Sequence, residues 1–147
     1  MQDSTQITKS NIEVVRDYTN NVFNDHSPDR VTEYVNPDVK WHGGTLGTIE
    51  GSAGLKAMLE GFIGALPDLH AAEQDIFAQG DKVAVRYVVE ATHKGNLFGA
   101  PATGRAIRWD AVDIYRITDG KISEEWAADD STAILHAIGL YTAPWIS

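Results

Sequence analysis

Val83-Ala84-Val85-Arg86-Tyr87-Val88-Val89-Glu90-Ala91-Thr92, Ile107-Arg108-Trp109-Asp110-Ala111-Val112-Asp113-Ile114-Tyr115-Arg116-Ile117 and Ile122-Ser123-Glu124-Glu125-Trp126-Ala127-Ala128-Asp129 decide the fold. The first two runs hold apolar side chains at alternate positions, the mark of a strand with one covered face. Asp119-Gly120, between the second and third runs, is a tight-hairpin dipeptide. Upstream, Gly80-Asp81 separates residues 83–92 from another strand ending near Phe77. The loop Gly95–Gly104, with three glycines and Pro101, carries the chain on to Ile107. The reading is a meander of three or four long antiparallel strands.

Working outward, the segment before the meander is helical. Ser10-Asn11-Ile12-Glu13 has capping-box spacing, and Ile12, Val15, Tyr18, Thr19 and Val22 follow on one helical face. Residues 1–9 are expected to be a flexible lead. A short helix is predicted from Pro28 to Val35, ended at Asn36-Pro37 because the residue before proline is driven out of helical geometry. Val39-Lys40-Trp41-His42 reads as a short strand. Leu55, Met58, Leu59, Phe62 and Leu66 repeat at helical spacing behind Ser52, and Pro67 stops that helix. Thr132–Ile138 reads as a terminal helix capped by Gly139. Helices followed by strands, with no repeat or linker, predict one α+β domain over residues 1–147 rather than a doubly wound sheet. A curved antiparallel sheet with the N-terminal helices packed on it would enclose a cone-shaped apolar pocket.

Composition narrows the chemistry. Twelve Lys and Arg against 21 Asp and Glu give a formal charge of −9, a field that repels a nucleic-acid backbone. Arg105 and Arg108 beside Asp110 make a poor basic patch. No cysteine is present, which excludes disulfides, thiolate metal sites and a thiol nucleophile and fits a cytoplasmic location. The polar start Met1–Gln6 lacks the apolar run of a secretory signal, and no stretch approaches the ~18–20 apolar residues of a membrane span.

The informative residues interrupt the apolar faces. Asp113 shares its strand face with Ile107, Trp109, Ala111, Tyr115 and Ile117, so it is expected to point inward. Continued alternation from Ile122 places Glu124, Trp126, Ala128 and Asp130 on one face of the last strand. Paired through Asp119-Gly120, the two strands would let Asp113 and Asp130 look into one space. A desolvated carboxyl there is a usable acid and base near neutral pH. Each has a plainer alternative: Asp130 precedes Ser131-Thr132 as a helix N-cap does, and Asp113 could pair with Arg86, whose direction the pattern leaves open. His42 and His93, at strand ends, fit hydrogen-bonded structural roles as well as binding ones. No His-Glu-x-x-His metal motif, EF-hand loop, phosphate loop or nucleophile elbow is present, which leaves acid/base work.

Thr92-His93-Lys94-Gly95, Leu97-Phe98-Gly99, Pro101, Thr103-Gly104-Arg105, Asp113-Ile114-Tyr115-Arg116 and Asp119-Gly120-Lys121-Ile122 resemble, in order and spacing, the SnoaL-like polyketide cyclase family. Trp126, Asp130, Leu135 and Gly139 continue the match, and Asn36-Pro37-Asp38, Trp41-His42 and Pro67-Asp68-Leu69 extend it upstream, over roughly residues 10–140. The resemblance implies an α+β cone of the nuclear-transport-factor-2 and ketosteroid-isomerase type, a homodimer or homotetramer, and intramolecular aldol closure of an aromatic polyketide ester without metal or cofactor. It also implies a pocket Asp, matched by Asp130, that takes the α-proton and returns a proton to the new alkoxide. The family's characterised cyclases carry a His where Asp113 stands, so this pocket is expected to be more acidic.

The expected site is thus Asp130 and Asp113 as catalytic groups, with His42, Arg86, Trp41, Trp109 and Trp126 binding a hydrophobic small molecule. A binding module of the same fold would use the three tryptophans without catalysis. A cone-type hydrolase with an Asp-Arg-Asp set is opposed by Val88 and Ala127, where its carboxylates would fall.

Overall fold

The computed structural model describes residues 4–146. In chain order the elements are α1 (Ser4–Tyr18), β1 (Val35–His42), β2 (Thr48–Glu50), α2 (Ser52–Ala65), β3 (His70–Gln79), β4 (Lys82–Thr92), β5 (Ala106–Thr118), β6 (Lys121–Asp129) and α3 (Ser131–Ala137). The six strands form one curved, unclosed sheet in the order β2-β1-β6-β5-β4-β3. β3 to β6 are the antiparallel meander, turned at Asp119 and Gly120, both with positive φ. β1 joins the edge of β6 in parallel, the one non-antiparallel pairing among the described strands. None of the described helices is long and apolar enough to cross a membrane.

The helical segment departs from expectation at its ends. α1 begins at Ser4, so the Ser10 box is not its cap and the expected flexible lead is partly helical; residues 1–3 lie outside the described residues. Residues 28–33 form a 3₁₀ rather than an α-helix, with Pro28 in its first turn. β1 starts four residues earlier than the Val39 predicted. Pro37 lies where the β1–β6 register shifts between Val35 and Lys40, the irregular kind of strand position that tolerates a missing N–H.

The core sits on the concave face. Val83, Val85, Tyr87, Val89 and Ala91 of β4 and Ile107, Trp109, Ala111, Tyr115 and Ile117 of β5 are buried there. Val15, Tyr18, Val22, Leu55 and Leu59 from the helical side join the same cluster. Their phase sends Arg86 to the convex face, where its Nε donates to Asp75 Oδ2 at 2.7 Å. The Arg86–Asp113 ion pair considered above therefore does not form.

The last strand carries a β-bulge. Ile117 pairs with Ile122, but Arg116 pairs with Glu124, leaving Ser123 as the extra residue. Ser123 Oγ lies 2.8 Å from Thr118 Oγ1 and donates to the Arg116 carbonyl at 3.3 Å. Because side chains alternate with period two, one extra residue exchanges the faces beyond it. Ile122 points inward before the bulge; Glu125, Ala127 and Asp129 point inward after it, and Glu124 and Trp126 point outward.

Candidate active site

The concave face, the end of α1 with the turns that follow it, α2, the start of β2 with the residues before it, and the loop at 96–98 enclose a cavity of about 460 Å³. That volume falls within the range of small-molecule pockets. Its walls are apolar, with Phe23, Trp41, Met58, Phe62, Leu97 and Phe98 among them. Gly43 makes room for Trp41: a Cβ there would collide with the indole. Asp113 and Asp129 are the carboxyl side chains in the lining, and none of the described lining residues is basic.

Their placement follows from strand pairing. Asp113 pairs with Ala127 and Asp129 with Ala111, so the two acids stand diagonally on adjacent strands of one face, about 7–8 Å apart at the backbone. Glu125 lies beneath them, 5% exposed. Thr19 Oγ1 lies 2.7 Å from Tyr87 Oη, which lies 3.4 Å from Tyr115 Oη, and Tyr115 donates to Asp113 Oδ2 at 3.3 Å. A chain of hydroxyls thus ends on Asp113 from one side.

Burial pushes the Asp113 carboxyl up to about 7, opposed by hydrogen bonding to Glu125 and Tyr115 and reinforced by the Asp129 charge. Burial also holds Glu125 well above the usual carboxylate range, with the Asp113 charge adding to the effect. Asp113 Oδ1 is buried with no hydrogen-bond partner, so an anion there has no donor to stabilise it. Asp129 is raised by burial too, but Trp109 Nε1 donates to its Oδ1 at 2.8 Å and counteracts the rise. It also keeps solvent access at the end of β6.

The other expected residues separate into two groups. Trp41 lines the cavity, and Trp109 is buried beside it, edge-on to Phe62 and bonded to Asp129. Asp130 is outside the lining: it is the N-cap of α3, accepting from Ala133 N at 3.2 Å. His42 and Trp126 are on the convex side, stacked on each other, with His42 Nε2 2.6 Å from Glu124 Oε2. Arg116 covers the Trp126 ring. Arg86, as described, is also outside.

The sequence reading missed Asp129 and Glu125 because it carried one alternation through Ser123. The doublets Glu124-Glu125 and Asp129-Asp130 held a usable signal, since in a strand either phase turns one acid of each doublet inward. His93 is fully buried outside the cavity lining, where its Nδ1 accepts from Thr103 N at 3.3 Å and lies 2.9 Å from Thr103 Oγ1. It fastens the loop that carries Leu97 and Phe98.

A curved α+β cone closed by helices over an acidic, otherwise apolar cavity is the nuclear-transport-factor-2-like class of fold. Within that class the chain belongs to the SnoaL-like polyketide cyclase family, whose model matches residues 13–138. It is 29% identical over 113 residues to the aklanonic acid methyl ester cyclase DnrD of Streptomyces peucetius, covering 77% of this chain and 74% of that one. It is equally similar to the aklanonic acid methyl ester cyclase DauD of Streptomyces sp. strain C5, covering 77% and 67%. The crystal structure of a SnoaL-like protein from Jannaschia sp. CCS1 superposes with a TM-score of 0.87 at 22% identity, over 97% of this chain and 100% of that one.

Proposed function

We propose that this protein closes a ring in an aromatic polyketide ester by intramolecular aldol chemistry, with Asp129 as the base. The observation that carries the reading is a carboxylate with an indole N–H partner at the edge of an apolar cavity of about 460 Å³. Asp129 removes the proton from the carbon bearing the ester, and the enolate carbon attacks the ketone to form the new C–C bond. The ketone oxygen becomes an alkoxide and takes up a proton, so no atoms are gained or lost. Trp41 and Phe62 supply flat apolar walls for an aromatic substrate. The names of DnrD and DauD, both methyl ester cyclases, support the substrate class.

The test uses a tricyclic anthraquinone with ketone and methyl-ester side chains, followed by chromatography. Asp129→Asn should lower turnover by about 10²–10⁴-fold, the usual worth of a general base. Asp130→Asn should stay within a few-fold of wild type. Loss in Asp130→Asn with retention in Asp129→Asn would move the base back to the helix cap. Tight binding by the wild type without turnover would favour a binding module.

A further inference from the structure

The cavity holds more acid than a single base requires. Asp113 and Asp129 line one side of it with Glu125 buried behind them, while the ion-paired cations Arg16, Lys56, Arg86, Arg108 and Arg116 are engaged with acids elsewhere. Ionising Asp113 and Glu125 together beside Asp129, with no positive charge in the lining, is costly in a low-dielectric site, so protons are retained. Geometry says where. Asp129 has the Trp109 N–H and solvent to stabilise its anion. Asp113 has a long bond from Tyr115, a second oxygen without a donor, and a buried carboxyl behind it.

We infer that Asp113, backed by Glu125, is the acid of this pocket: a neutral carboxyl that donates to a ligand carbonyl oxygen while Asp129 works as the carboxylate base. Within the aldol reading, on which its catalytic role rests, the proton on the new alkoxide comes from Asp113 rather than back from Asp129. The cycle closes when Asp129 releases its proton to solvent and Asp113 regains one. Environments that separate the proton affinities of two carboxyls in one site are how acid and base roles are divided. The groups facing Asp113 are Glu125 and Asp129 of β6, Tyr115 of β5, Tyr87 of β4 and Tyr18 of α1. The three phenols are themselves raised by burial and stay protonated. The ligand class follows: an aromatic molecule presenting a carbonyl oxygen, not a cation or a hydroxyl donor, to the floor of the cone.

Carbon NMR on the whole protein labelled at aspartate Cγ tests this directly. One resonance should titrate near pH 7, vanish in Asp113→Asn and persist in Asp129→Asn. If Asp113→Asn fails to fold, Glu125→Gln serves instead. Its amide can donate to Asp113 without carrying a charge, so the same resonance should remain and move to lower pH. In parallel, the carbonyl stretch of a bound hydroxyanthraquinone methyl ester, lacking the closable side chain, should fall in frequency on binding. The shift should be lost in Asp113→Ala and partly restored in Asp113→Asn. Ordinary carboxylate titration for every aspartate, a near-neutral resonance that disappears with Asp129 instead, or no binding of the probe each overturns the assignment. The two readings fail separately: an acid at Asp113 without ring closure removes the cyclase reading only. Ring closure lost in Asp129→Asn, with an ordinary Asp113, removes the acid only.

Discussion

Asp113→Asn exchanges a buried ionisable group for a neutral one of the same shape, and its effect on stability should depend on pH in one direction. In the folded chain the carboxyl is raised from 3.8 to about 7. The folded state therefore binds a proton that the unfolded state has released across that interval. Stability from this group is fully present below pH ~4 and declines as pH rises to about 7. A rise of that size is worth about 4 kcal/mol at ~1.36 kcal/mol per pH unit. Asp113 faces the cavity and is only partly covered on that side, so pocket water screens the charge and about 2 kcal/mol is the better expectation. Urea unfolding of both proteins at several pH values from 4 to 8 measures it. Taking the difference cancels carboxylates with the opposite slope, such as Asp68 and Glu124, which hydrogen bonds hold below their usual range. The variant should gain on the wild type as pH rises and lead by about 2 kcal/mol above pH 7, with an unchanged m-value. A stability difference that stays constant across this range would refute the claim that Asp113 is ionised only at a cost.

Three further outcomes follow from separate parts of the fold. Asp130→Ala should cost about 1 kcal/mol through loss of the α3 cap, seen in thermal unfolding, with ring closure unaffected beyond that loss. Gly43→Ala should push Trp41 out of the wall, altering its fluorescence and weakening binding of an anthraquinone by ten-fold or more, while Gly64→Ala, with open space at its Cβ and outside the lining, should not. On the convex face Phe77, Ala84, Ile114 and Trp126 are aligned across four strands, and Phe77 and Ile114 are exposed. Exposed apolar patches of this kind mark association surfaces; sedimentation should show a dimer that Ile114→Lys dissociates, and an unchanged sedimentation coefficient would place the contact elsewhere.

The meander was legible because β4 and β5 keep an unbroken alternation and a hairpin dipeptide joins β5 to β6. That is why Asp113, flanked by Trp109, Ala111 and Tyr115, was correctly expected to point inward. Arg86 was ambiguous: its face holds Ala84, Val88 and Glu90, and only the tertiary pairing with Asp75 sends it outward. Trp126 misled for the opposite reason. A large aromatic suggested a covered face, yet the ring is covered from the convex side by His42 and Arg116. The parallel docking of β1 on β6 that brings His42 there is a long-range contact with no local pattern to announce it.

Ser123 acts on β6 much as a frameshift acts on a message. Downstream of it the strand contains two interleaved linings: Glu125, Ala127 and Asp129 in one frame, and Glu124, Trp126 and Ala128 in the other. Drawing Ser123 into the ladder, opposite Arg116, would slip every later residue by one place and offer the cavity an indole and a differently placed acid without changing a letter of the chain; deleting it would leave the lining as it is. A one-place slip of register at this turn is thus a short route by which such a cone could exchange one chemistry for another. For the same reason, a gap set one position away when relatives are aligned across this strand transfers the role of Asp129 to its neighbour.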